Sequence, residues 1–188
     1  MDKLFYLLTF MAIIIGIGVS DIVVCLNRLL SNAKMVKWHF LPIIWVINIF
    51  LALIYYFYIS SVFIDFNLAD HGIGFVALII PQLVLLFLAL AILPNKIEEK
   101  EVNLLSYYFS KKRYIGLLFL LHFWAIWILR VLEYSNEDYN LKFGMLILPI
   151  ILFSAIIFTK KVWLHTIVAV LLLIYFLFFL SKVSLNLQ

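Results

Sequence analysis

Cysteine is nearly absent from this 188-residue chain. The single one, Cys25, allows no intrachain disulfide and marks no redox compartment. Charge is scarce as well: Asp, Glu, Lys and Arg make up 13% of the residues, against roughly a quarter in a soluble domain. No Asn-x-Ser/Thr acceptor occurs. There is no phosphate-binding loop, nucleophile elbow, metalloprotease helix or dinucleotide fingerprint. Cys25 and the four histidines lack ligand spacing, so no metal is expected. These absences argue against most soluble enzyme classes, and any catalysis would have to sit within a membrane plane.

What is present is apolar surface. Hydrophobic residues make up 67% of the chain, with a mean hydropathy of +1.17. A chain this short still exposes much of its surface, so one small core cannot bury that much. Lipid must solvate the remainder. A spanning helix needs about 20 mostly apolar residues, and six stretches qualify: about 4–26, 38–60, 72–93, 114–132, 143–159 and 162–181. None alternates polar with apolar, so helices are expected rather than barrel strands. The fold class is all-α, a polytopic transmembrane bundle forming a single domain over 1–188. The start, "MDKLFYLLTFMAIIIGIGVS", has too long an apolar run for a signal peptide and no small-x-small site before Asp21, so it reads as a retained helix.

Orientation comes from the cations. Arg28, Lys34 and Lys37 lie between segments 1 and 2; Lys96, Lys100, Lys111, Lys112 and Arg113 between 3 and 4; Lys160 and Lys161 between 5 and 6. The other side holds Lys3, Arg130, Lys142 and Lys182, with Asp65, Asp70, Glu133, Glu137 and Asp138. The positive-inside rule predicts a multipass inner-membrane protein with these three loops in the cytoplasm and both termini outside. The net charge of +4 reads as topology, and no nucleic acid is expected as a partner.

The longest connection, 95–113, is expected to be a cytoplasmic loop holding a short amphipathic surface helix. Val102, Leu105 and Phe109 would share its apolar side, with Leu104 and Tyr108 nearby. The alternative is a connector whose apolar residues pack onto helix ends. "KMVKWHFLP" before segment 2 and "KKVWLHTIV" before segment 6 share a basic–Trp–His order. This fits either three tandem hairpins or interfacial anchoring alone. The run from "SDIVVCLNRLL" through "VKWHFLPIIW", "LPNKIEEKEVNLLSYYFSKKRYIG" and "KKVWLH" resembles a family of uncharacterised bacterial six-helix membrane proteins. That resemblance implies the architecture and no activity.

Polar residues inside greasy segments are the candidate sites. Asp21 follows seventeen uncharged residues, with Asn27 beside Arg28 a turn or two later. With His39 and His165 entering from the same side, Asp21, Asn27, Arg28, His39 and His165 form an expected layer near the cytoplasmic interface. Intramembrane charges usually face the bundle interior and pair, so Asp21 is expected within reach of Arg28, His39 or His165. It would serve either as a structural staple or as a proton- or ion-responsive site. A second expected layer, Asn48, Gln82 and His122, sits near the midplane beside the Pro81 kink, as packing glue or as a transport path. Gly16-x-x-x-Ser20 offers a small face for a neighbouring helix within or between subunits. Only His39 with His165 could ligate haem, and without C-x-x-C-H no cofactor is expected.

The functional expectation is a non-enzymatic small channel, transporter or membrane-permeabilising effector acting as a homo-oligomer in the lipid bilayer. The alternatives are a membrane anchor or sensor subunit whose basic loops recruit a soluble cytosolic partner, and a haem-binding electron carrier.

Overall fold

The computed structural model describes residues 3–63, 72–95, 101–133 and 139–185. Six helices account for nearly all of them: α1 (Lys3–Ser31), α2 (Phe40–Phe63), α3 (Gly72–Ile92), α4 (Leu104–Glu133), α5 (Tyr139–Phe158) and α6 (Val162–Leu185). Three of them contain stretches long and apolar enough to cross a membrane: Phe5–Ser31, Phe40–Tyr58 and Leu104–Leu129. Shorter apolar helices cover Val76–Ile92, Pro149–Phe158 and Val162–Phe178. Large apolar side chains such as Phe10, Ile17, Leu121, Ile151 and Phe178 face outward on several helices. A surface of this kind belongs in lipid rather than in water.

The helices form a ring in the order α1, α3, α4, α5, α6, α2, with α2 also reaching across to α3 and α4. Accordingly 56% of the apolar stretch of α2 is buried, against 28% of that of α1. The main core surrounds α2, centred on Trp45, Ile49, Tyr56, Leu85, Leu88, Tyr108, Phe119 and Phe153. A smaller cluster joins α1, α3 and α4 through Leu7, Met11, Ile14, Leu78, Ile79 and Leu129.

Two glycines set close approaches. A Cβ on Gly116 would lie 2.6 Å from Cγ1 of Ile157, so α4 and α5 touch through this glycine. A Cβ on Gly18 would lie 3.3 Å from Leu53 and 3.6 Å from Ala89, where α1, α2 and α3 meet. Gly16 has nothing within 4 Å of that position among the described residues, so the small-residue face expected there receives no helix at Gly16.

The third pair does not behave as a hairpin equivalent to the others, because α5 packs mainly on α4 and α6 mainly on α2. Each is tied elsewhere: α5 by the Gly116 contact, α6 by a 2.8 Å hydrogen bond from Asn48 Nδ2 to the Ala169 carbonyl. The stretch expected to be a separate surface helix instead supplies the first turns of α4. Leu104 and Tyr108 are fully buried and Lys112 is 6% exposed. These positions recur every four residues, one helical face, and continue into Ile115 and Phe119. That face joins the bundle core, so it is held by protein rather than by the membrane surface. Residues 96–100 of the same connection lie outside the described residues, as do Asp65, Asp70, Glu137 and Asp138.

At one end of the bundle the connections are joined. A 3-10 turn (Ala33–Met35) leads into β1 (Val36–Lys37), which pairs in parallel with β2 (Val102–Asn103), Val36 opposite Val102 and Lys37 opposite Asn103. Lys37 Nζ meets Glu101 Oε2 at 2.7 Å across this pairing. Asn103 Oδ1 then accepts from the Ser106 N–H at 3.1 Å, capping the start of α4.

Candidate functional site

Two polar networks occupy this end, one on each side of α4. Adjacent residues on a helix point about 100° apart, so Tyr107 and Tyr108 serve different neighbours.

On the Tyr107 side, the last carbonyls of α3 need donors, as at every helix end. The Tyr107 hydroxyl lies 3.1 Å from the Ala91 carbonyl and 3.0 Å from that of Leu93. It has one proton to share between them. Arg28, from α1, donates through Nη1 to the Asn95 carbonyl. Cys25 Sγ lies 3.4 Å from Asn95 Oδ1 and 3.8 Å from Asp21 Oδ2. Asp21, Cys25 and Arg28 thus share one stripe of α1, and Arg28 spends its guanidinium on the chain after α3. The expected pairing of Asp21 with Arg28, His39 or His165 is not the arrangement found: its bond is to the thiol. Asp21 is half-buried.

On the Tyr108 side the groups are buried. His165 Nε2 lies 3.1 Å from the Thr159 carbonyl and its Nδ1 lies 2.8 Å from the Tyr108 hydroxyl. A carbonyl only accepts, so Nε2 carries a proton. The neutral ring then takes the Tyr108 O–H at Nδ1, and both nitrogens are satisfied. Lys112 Nζ donates to the Ile157 carbonyl at 3.0 Å and also to the Thr159 carbonyl, closing the C-terminal end of α5. Cations belong at helix C-termini, where carbonyls and the helix dipole converge.

Tyr108 also begins an aromatic column running into the bundle. Its ring stacks on Trp45 with centroids 6.3 Å apart. Trp45 packs on Phe119 at 5.2 Å and Phe153 at 6.3 Å. Phe123 continues from Phe153 at 5.5 Å, followed by His122 at 5.8 Å and Tyr56 at 5.6 Å.

The remaining expected site residues are dispersed. His39 Nδ1 accepts from the Leu41 N–H at 3.2 Å, capping α2, and its ring stacks on Phe40. His39 and His165 thus have separate hydrogen-bond partners. The sequence spacing explains this. His39 precedes its helix directly after Trp38, whereas His165 is one turn inside α6 and faces inward. Asn27 is exposed on α1.

The midplane trio divides between two seams. Asn48 bonds to α6, while His122 Nδ1 lies 3.1 Å from the Pro81 carbonyl, next to buried Gln82. The carbonyl again fixes the proton on Nδ1. The Asn48 Oδ1 atom is buried and makes no hydrogen bond among the described residues.

Sequence reasoning missed Tyr107, Tyr108, Lys112, Asn95 and Thr159. The signal available for Tyr108 and Lys112 was their spacing of four from Leu104, which marks one buried stripe. Among the described residues no group of three or more His, Cys, Asp or Glu side chains could hold a metal. Compared with protein-family models, curated proteins and solved structures, the chain matches none.

Proposed function

We propose that this is a six-span inner-membrane protein, both termini outside, whose basic cytoplasmic end is a non-enzymatic docking platform for a soluble, acidic partner. The observation that carries this reading is the β1–β2 pairing. It joins two basic connections from separate parts of the chain into one braced surface, with Lys37 held to Glu101. Lys34 and Lys37 are presented on that surface, both exposed. A recognition surface benefits from such bracing, because less ordering entropy is lost when a partner binds. Conduction through one chain draws less support, since Trp45, Tyr108, Phe119 and Phe153 fill the centre of the bundle.

Photo-crosslinking from position 34 in intact cells tests the reading. A discrete adduct with one soluble protein is expected, lost when Lys37→Glu is added to the crosslinking chain. Adducts to lipid alone would count against it. Cysteine labelling should find position 34 accessible only from the cytoplasm, and labelling from outside would reverse the topology.

A second reading, an oligomeric channel or effector, rests on the open surface of α1 at Gly16, where another copy could approach closely. Solute flux through the purified protein in liposomes, abolished by Gly16→Leu, would favour it over the platform.

A further inference from the structure

The end of the bundle carries more positive charge than its own residues neutralise. Among the described residues there, Arg28, Lys34, Lys37, Lys111, Lys112, Arg113, Lys160 and Lys161 face only two carboxylates, Asp21 and Glu101. Residues 96–100, "KIEEK", contribute two charges of each sign and leave that balance unaltered. Asp21 is on α1, and Glu101 is already paired with Lys37. The excess is concentrated at the α5–α6 turn. There Lys112 is buried against the α5 carbonyls, and both Arg113 and Lys160 stand near enough to repel it. Like charges crowded around a desolvated ammonium are unfavourable unless an anion joins them.

The surroundings identify the anion. Arg113 and Lys160 are exposed, and beside them in sequence stand Tyr114, Phe158 and Trp163, which are 47%, 83% and 59% exposed. A soluble acidic partner would gain little from rings at the level where helices enter hydrocarbon. A lipid would gain at both of its ends, since phosphate meets the cations and acyl chains meet the rings. α5 packs mainly on α4 and α6 mainly on α2, so the two helices that flank this turn touch each other little.

We propose that Arg113 and Lys160 form a binding site for the phosphate headgroup of an anionic phospholipid, with Phe158 and Trp163 receiving its acyl chains. This site is separate from the docking platform, since it uses neither Lys34 nor Lys37.

The test uses the full-length protein purified in a mild nonionic detergent, with phosphatidylglycerol, phosphatidylcholine and inorganic phosphate as probes. Native mass spectrometry should show phosphatidylglycerol retained at defined stoichiometry and phosphatidylcholine not. Each cation near a membrane surface contributes about a fivefold factor in binding. The Arg113→Gln/Lys160→Gln variant should therefore bind phosphatidylglycerol on the order of 30-fold more weakly. Both side chains are exposed, so the variant should keep its elution volume and melting temperature. The Lys34→Gln/Lys37→Gln variant removes the same charge elsewhere and should retain the lipid normally. Equal retention by wild type and the Arg113/Lys160 variant would overturn the site. An equal loss in the Lys34/Lys37 variant would reduce it to net charge. Displacement of the lipid by millimolar inorganic phosphate would reassign it to free phosphate. Failure of the crosslinking at position 34 leaves all these outcomes readable.

Discussion

Tyr107 and Tyr108 are neighbours on α4, yet each belongs to a network with different physical stakes. Tyr107 is half-buried, and its one proton is shared between the Ala91 and Leu93 carbonyls at the end of α3. Tyr108 is fully buried, and it donates to His165 Nδ1, which has no other hydrogen-bond partner among the described residues. The same phenol in the same helical turn is thus replaceable on one side and specifying on the other. A hydrogen bond lost where water can substitute costs its modest net value, whereas one lost in a dry site costs the full desolvation of the stranded partner.

Equilibrium unfolding in mixed detergent micelles can break this comparison at its strongest point. Trp45→Ala removes the indole between Tyr108, Phe119 and Phe153 and should destabilise by about 3–5 kcal/mol. A loss below about 1 kcal/mol would mean that the aromatic column does not hold α2 to α4 and α5. Next in size, Tyr108→Phe strands His165 Nδ1 and should cost about 1–3 kcal/mol. Tyr107→Phe should cost less, about 0.5–1.5 kcal/mol. Should the two tyrosine variants come out equal, or in reverse order, burial is not what separates the two sides of α4. Smallest of all, Asp21→Asn should change stability by under about 0.5 kcal/mol, because the carboxylate is half-exposed and touches only a thiol. Asp21→Leu should then fold as well. A sharp loss of assembled protein in Asp21→Leu, seen by size-exclusion chromatography, would reveal a partner for the carboxylate outside this chain.

Six helices were legible in the sequence because lipid imposes a length and a composition on whatever crosses it. The bounds of α2, α3, α5 and α6 fall near the expected stretches. Neighbour relations were not legible, for a reason specific to this solvent. In water the buried face of a helix is more apolar than the exposed one and announces itself by periodicity. In hydrocarbon both faces are apolar, and interfaces are chosen by small residues and a few hydrogen bonds. Gly116 and Gly18 made those choices here, whereas Gly16, equally small, made none among the described residues. The polar residues misled in the same way. Asp21 was conspicuous because it is charged, yet it does little in the fold. Lys112 counts in the sequence only as one of the cations between segments 3 and 4, and in the fold it closes the end of α5. The amphipathic start of α4 did declare a buried side. Only the bundle reveals that its cover is protein.

The parallel pairing of Val36 with Val102 also has a meaning in time. A ribosome delivers the chain from its N-terminus, so α1, α2 and α3 emerge before β2 does. Until Val102 and Asn103 emerge, β1 has no strand to pair with, and until Tyr107 follows, the Ala91 and Leu93 carbonyls lack the phenol that serves them in the finished protein. Within a few residues of translation the pairing, the Lys37–Glu101 contact and the cap on α3 all become available together. The short bridge therefore forms only after the start of α4 has followed the first three helices out.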